Sequence, residues 1–326
     1  MKISLEKIEL PLKVNWKLSR NQTTLKENYI VHLETSLGLI RSEIAPNIRY
    51  GETLQNILEE FSSWEKEVNL SSIKTESDLS SALAGLKLHS LRFGIESALL
   101  SYLARVHGVS LSDFLKLPRP VPVATYFSMP IIPVSEIKDY LLPLSRFRSL
   151  KIKVNAETGL EMLQEITRHT NVKLLVDANE AWKDLDVFMR FQESLQGMNI
   201  ELIEQPFPSS MVSEYKALKK ITSYKLLADE SIEDVGNFRE LSEQFHAVNI
   251  KLMKTGSLIK ARDLLAQAKA NSMSAMIGCM IETTIGISYG MLFGGMVEYV
   301  DLDGFLLIKD EPFHLVSEAE GILKLN

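Results

Sequence analysis

The sequence predicts an α/β fold, a (β/α)7β barrel carrying an N-terminal α+β cap. Three observations predict it. Short apolar runs at Leu174–Val176, Ile200–Ile203 and Lys225–Ala228 each end in a carboxylate, Asp177, Glu204 and Asp229, with gaps of 27 and 25 residues. That gap fits one strand, one helix and two loops, and parallel strands need such crossovers. The same rhythm runs from Val121 to Asp301 and yields eight strands, enough to close a barrel. Residues 1–118 instead place strands first and helices second, the α+β pattern.

In the cap, Ile3–Leu12, Asn28–Glu34 and Leu39–Ala45 alternate or carry β-branched residues, which reads as an antiparallel meander. Lys13–Glu27 between the first two reads as a polar loop holding Trp16, Arg20 and Asn21. Helical patterns follow at Thr53–Val68, Ser77–His89 and Leu91–His107. Pro118, Pro120 and Pro122 then break any helix and mark a boundary, so 1–118 is read as the cap.

The barrel, 119–305, begins with a strand at Val123–Phe127 and a second at Ser149–Val154. Later strands end near Asp177, Glu204, Asp229, Lys251, Gly278 and Asp301. Helices fit at Glu157–His169, Leu185–Leu195, Ser213–Ile221, Val235–Phe245, Leu258–Ala270 and Thr284–Met296. After Asp301 the chain is too short for a full eighth helix, and 306–326 is read as a segment returning to the cap. An open doubly wound sheet competes with this reading, but no GxGxxG or GxxxxGK[ST] follows any strand.

Bulk properties narrow the function. The chain has 326 residues, 45% hydrophobic and 24% charged, with net charge −6 and no basic block, so nothing suggests a nucleic-acid or membrane-surface partner. The single cysteine, Cys279, excludes an internal disulfide. The N-terminus alternates without the apolar core of a secretory signal, and no run of 18 apolar residues exists, so we expect a soluble cytoplasmic protein.

In a barrel, chemistry sits at the C-terminal ends of the strands. Three carboxylates in register there call for a hard cation, Mg, Ca or Mn. Lys151 and Lys153 share one strand face by i, i+2 spacing, as do Asp301 and Asp303. The aspartate pair suits an ammonium group on a substrate. Of Lys251 and Lys254, one is expected to face in and the other to reach solvent, and Lys251 ends the apolar run. None of the six histidines ends a barrel strand, and Cys279 has no histidine beside it in the pattern.

These motifs resemble the enolase superfamily in its muconate-lactonizing-enzyme subgroup, and the dipeptide epimerases within it. The similar residues are KIKV at 151–154, DAN at 177–179, EQP at 204–206, ADES at 228–231, NIKLMKTG at 249–256, GCMIETTIGIS at 278–288 and DLDG at 301–304. The resemblance covers the whole barrel in order and implies a (β/α)7β modified TIM barrel. It implies that Asp177, Glu204 and Asp229 hold one Mg2+ per subunit. It makes Lys153 and Lys251 the acid/base pair, Lys151 an electrostatic partner of the substrate carboxylate, and Asp301 with Asp303 the ammonium clamp. Glu282 and Ser128 then line the substrate pocket, and Asn179 and Glu230 support the ligands. Relatives acting on Ala-Glu use an arginine in the cap loop; that position falls at Asn21, beside Arg20, which favours a neutral or hydrophobic second residue.

The activity so implied is epimerisation of Ala-Xaa dipeptides by two-lysine proton transfer through an enediolate. A divalent cation and a second ammonium nearby should lower the lysine pKa and give a usable neutral base. Alternatives on the same scaffold are o-succinylbenzoate synthesis, cycloisomerisation and N-acylamino-acid racemisation; the Asp301/Asp303 pair argues against them. A lysine Schiff-base aldolase and a non-catalytic metal-dependent binding barrel are readings from other classes. Members of the family often assemble into homo-oligomers.

Overall fold

The computed structural model describes residues 1–17 and 22–326. Three long strands form an antiparallel sheet in the order β1-β2-β3: β1 (Lys2–Lys17), β2 (Gln22–Thr35) and β3 (Gly38–Ile44). Alternation sets the register, Ile3 opposite Leu33 and Leu5 opposite Val31. The arms of the first hairpin run well into the stretch read as a loop. Trp16 pairs with Thr23 and is buried, so apolar burial and ladder hydrogen bonds outweigh the polar composition there.

The cap helices are α1 (Leu54–Glu67), α2 (Glu76–Leu83), α3 (His89–Val106) and the short α4 (Leu111–Phe114). Thr53 with Asn56 and Thr75 with Asp78 form reciprocal caps that start α1 and α2. Helix α1 buries Ile57, Phe61 and Trp64, one stripe at helical spacing. Helix α3 is buried nearly all round because it lies between the cap sheet and the barrel.

The barrel follows. Strand β4 (Val123–Ala124) precedes β5 (Phe127–Met129), β6 (Ser149–Lys153), β7 (Lys173–Asp177), β8 (Ile200–Glu204), β9 (Lys225–Ala228), β10 (Ala247–Lys251), β11 (Ser274–Gly278) and β12 (Tyr299–Asp301). Among the described residues β5 to β12 form one eight-stranded sheet in sequence order, each adjacent pair parallel. The Tyr126 amide donates to the Val300 carbonyl at 2.9 Å across the seam between β12 and β5. Helices α5 (Ile137–Leu141), α6 (Gly159–His169), α7 (Leu185–Glu193), α8 (Val212–Ile221), α9 (Phe238–Gln244), α10 (Leu252–Thr255), α11 (Leu258–Ala270) and α12 (Thr284–Gly290) connect the strands.

Other elements differ from expectation as well. Val123–Ala124 is not part of the first barrel strand; it pairs with β14 (Ile322–Leu325), itself in a hairpin with β13 (Val316–Ala319). The barrel strand starts at Phe127, just after Tyr126 turns to the seam. Helix α5 has no counterpart in the sequence reading, because a five-residue helix beside Pro133 and Pro143 is too short to show a period. The segment after β12 meets the cap where Leu12 bridges Ile308 and the Lys309 amide donates to the Pro11 carbonyl at 2.9 Å.

Candidate active site at the barrel mouth

Side-chain alternation builds the site from the barrel floor upward. Tyr126, Leu175, Leu202, Leu227, Ala247, Met276 and Tyr299 form a separate buried cluster inside the barrel. Strand residues two apart share a face. Two residues further along these strands therefore come Ser128, Asp177, Glu204, Asp229, Asn249, Gly278 and Asp301, all aimed inward. The next inward residues on β6 and β10 are Lys153 and Lys251. Those strands stand four places apart in a ring of eight, on opposite sides of the barrel.

The charges interlock. Lys151, 1% exposed, reaches Glu204 Oε2 at 2.8 Å, Asp301 Oδ2 at 2.9 Å and Asp177 Oδ2 at 3.1 Å. Lys153 Nζ donates to Asp177 Oδ2 at 2.5 Å, and Lys251 Nζ to Asp229 Oδ2 at 2.7 Å. Burial would raise Asp177, but Lys153 and then Lys151 outweigh it and hold it down at about 2. Lys251, Lys254 and Lys151 likewise overcome burial and keep Asp229 well below the usual range. Glu204 goes the other way: burial, then the Asp177 charge, pushes it up to about 7. Asn249 Nδ2 donates to Glu204 Oε1 at 2.9 Å.

These residues suit a hard cation chemically. Asp177, Glu204 and Asp229 are at most 2% exposed, and burial, with the Asp177 charge next, raises Glu204, whose ionised form a bound cation would favour. As placed, their oxygens face the ammonium groups of Lys151, Lys153 and Lys251, and among the described residues no three acidic, histidine or cysteine side chains are drawn together closely enough to hold a metal.

One sequence expectation fails here. Lys254 does not reach solvent. It is 1% exposed and donates to Asp229 Oδ1 at 2.8 Å, the Asp229 carbonyl at 2.5 Å and the Asn249 carbonyl at 3.1 Å. The turn of α10 carries it back under β9, where these acceptors offset the burial that lowers its pKa. Burial and Lys151 would lower Lys251, but Asp229, Glu204 and Tyr50 together outweigh them and hold its ammonium above the usual range.

At the seam, the Ser128 amide donates to Asp303 Oδ2 at 2.5 Å, and its hydroxyl stands 3.4 Å from both Asp301 Oδ1 and Asp303 Oδ1. Burial, then Asp301, pushes Asp303 up to about 7. A cavity of about 920 Å3 lies over this floor. The barrel lines it with Ser128, Lys151, Lys153, Lys251, Asp301 and Asp303, and the cap with Trp16, Lys26, Arg49 and Tyr50. Asn179 and Glu230 also line it; the Asn179 amide donates to Asp177 Oδ1 at 3.1 Å and its Nδ2 to Glu230 Oε1 at 3.5 Å.

Glu282 does not line the cavity; Met280 and Ile281 do. Its carboxylate turns back to accept the Met280 amide at 2.8 Å, close to Glu43 of the cap. Arg20 and Asn21 lie outside the described residues. Sequence reasoning missed Asn249, Gln205 and Tyr50. The i, i+2 rule applied backward from Lys251 finds Asn249, Gln205 lies within the EQP motif without a role assigned to it, and nothing in the sequence pattern marks Tyr50.

Together these features make the molecule a capped barrel with buried carboxylates and opposed lysines at its mouth. Residues 137–314 match the family model described as enolase C-terminal domain-like. The chain belongs to the enolase superfamily, in the subgroup of muconate-lactonizing enzymes and epimerases, and is an isomerase. It is similar to the L-Ala-D/L-amino acid epimerase of Pedosphaera parvula, at 30% identity over 99% of this chain and 95% of that protein. It is 34% identical to the L-Ala-D/L-Glu epimerase of Bacteroides thetaiotaomicron over 55% of this chain, where the match spans about half of that relative, 47%. The dipeptide epimerase of Enterococcus faecalis, solved with Mg and L-Leu-L-Tyr, shares the fold at TM-score 0.88 and 24% identity, covering 99% of this chain and 96% of that one. Among the described residues no helix is long and apolar enough to cross a membrane.

Proposed function

We propose that this protein is a Mg2+-dependent dipeptide epimerase that inverts the α-carbon of the second residue of Ala-Xaa dipeptides, with Xaa neutral or hydrophobic. The observation that carries the reading is the placement of Lys153 and Lys251 on opposite strands of one ring, over the same cavity that Asp301 and Asp303 enter. Relatives named as L-Ala-D/L-amino acid and hydrophobic dipeptide epimerases support it.

In this reading Asp177, Glu204 and Asp229 hold one Mg2+, which when bound supplies positive charge for the substrate carboxylate. Lys151 adds its ammonium on the same side, and such prearranged charge is commonly the largest catalytic contribution. Asp301 and Asp303 bind the dipeptide's amino terminus, with Ser128 fixing Asp303. One of Lys153 and Lys251 takes the α-proton from one face, giving an enediolate, and the other returns a proton to the opposite face. Arg20 and Asn21 belong to the substrate side chain's surroundings, Glu282 stands behind the wall formed by Met280 and Ile281, and Asn179 and Glu230 steady the ligands. The reading divides the chain into a cap, 1–118, a barrel, 119–305, and a returning segment, 306–326, and expects it in the cytoplasm.

Incubation of a dipeptide library in heavy water tests it, with mass spectrometry reporting gain of one deuterium. Ala-Xaa members with neutral Xaa should exchange, and N-acetylated Ala-Xaa should not. Exchange confined to N-acylated amino acids, or absent throughout, overturns the proposal.

A further inference from the structure

Gln205 follows Glu204 directly and is fully buried, yet its backbone is left-handed, with φ 40°. For a non-glycine residue that conformation persists only where its surroundings enforce it. Its main chain is spent on neighbouring strands. The amide donates to the Leu227 carbonyl on β9 at 3.0 Å, and the carbonyl accepts the Glu180 amide, just past β7, at 2.8 Å.

The side chain binds β9 a second time. Oε1 accepts the Asp229 amide at 2.9 Å and the Ser231 amide at 3.2 Å. Nε2 donates to Ser231 Oγ at 2.7 Å, Tyr215 Oη at 2.9 Å and the Phe207 carbonyl at 3.2 Å. One residue thus ties together the ends of β7, β8 and β9, which carry Asp177, Glu204 and Asp229.

We infer that Gln205 is the positioning residue that sets the spacing of these three carboxylates, and through it the affinity for a divalent cation. The inference rests on the proposed reading of the three as metal ligands. The left-handed turn is the means: only from there does the amide of the residue after Glu204 point across to Asp229. Gln205 is fully buried and is not among the residues that line the cavity.

The test is Mn2+ binding to metal-free protein by calorimetry, alongside thermal denaturation. Gln205→Met keeps the length and removes every side-chain hydrogen bond, leaving the buried Asp229 amide without its acceptor. Its Mn2+ affinity should fall tenfold or more. Gln205→Glu keeps both acceptor contacts and should bind no more weakly than wild type, which also covers the case that Gln205→Met does not fold. Tyr215→Phe touches the same amide from the side away from Asp229. It should lower the melting temperature and leave affinity within twofold.

A folded Gln205→Met that binds Mn2+ within twofold of wild type overturns the inference. So does a Gln205→Glu weakened tenfold, or affinity that merely tracks melting temperature across the set. Failure of wild-type protein to bind Mn2+ at all sinks instead the assignment of the three carboxylates.

Discussion

Glu282 shows how burial rather than position governs a side chain. Burial, with the Glu43 charge next, pushes its carboxyl up to about 8 from an ordinary 4.5. The native protein therefore holds this proton where the unfolded chain has lost it. Stability falls as pH rises from the unfolded value through about 8, opposite to the usual salt-bridged carboxylate. Glu282→Gln should remove this loss, so its melting temperature relative to wild type should climb between pH 6 and pH 9. A constant difference would contradict the account. Gly278 is a second case. A methyl group there would stand 2.4 Å from Asn249 Oδ1, and Asn249 holds Glu204. Gly278→Ala should cost about 1–3 kcal/mol and weaken Mg2+ binding, as denaturant melts and calorimetry can show.

Among the elements, buried acids join cap to barrel. Glu96 on α3 accepts Ser257 Oγ at 2.7 Å and the Leu258 amide at 2.6 Å, capping α11 from another domain. Burial raises its pKa, so the contact depends on all its donors. Glu96→Ala leaves the buried amide unpaired and should lower unfolding free energy by about 2–3 kcal/mol, measured in urea. An unchanged midpoint would show the cap helix is held by packing alone. Sequence periodicity found the strands carrying Asp177, Glu204, Asp229 and Lys251 because each is a buried apolar run stopped by a charge. It could not find contacts such as Glu96 to Leu258, since they join residues far apart in sequence. It misplaced Lys254 because spacing says which residues follow a strand and not where the next turn carries them. The extended hairpin arms escaped for a related reason: Trp16 and Thr23 are paired by the ladder, and their neighbours look like loop.

For the molecule as a whole, cap and barrel share one mouth. Arg49 in the cap reaches Glu180, just past β7, with Nη2 at 2.9 and 3.0 Å from its two oxygens. The Arg49 side chain is 41% exposed, so the pair itself adds little stability, about 0–1 kcal/mol. Its place on the cavity wall argues for a different effect. Arg49→Ala should raise KM several-fold while kcat and melting temperature stay near wild type. A fall in kcat with KM unchanged would place the residue in the chemistry instead.

The bridge between Leu12 and Ile308 has one more consequence. Nearly the whole polymer separates its two halves, and pairings of that kind form late. The roof over the barrel mouth is therefore fastened by a contact that no local stretch of chain can make, and it closes only when the first strand and the segment after the last barrel strand meet.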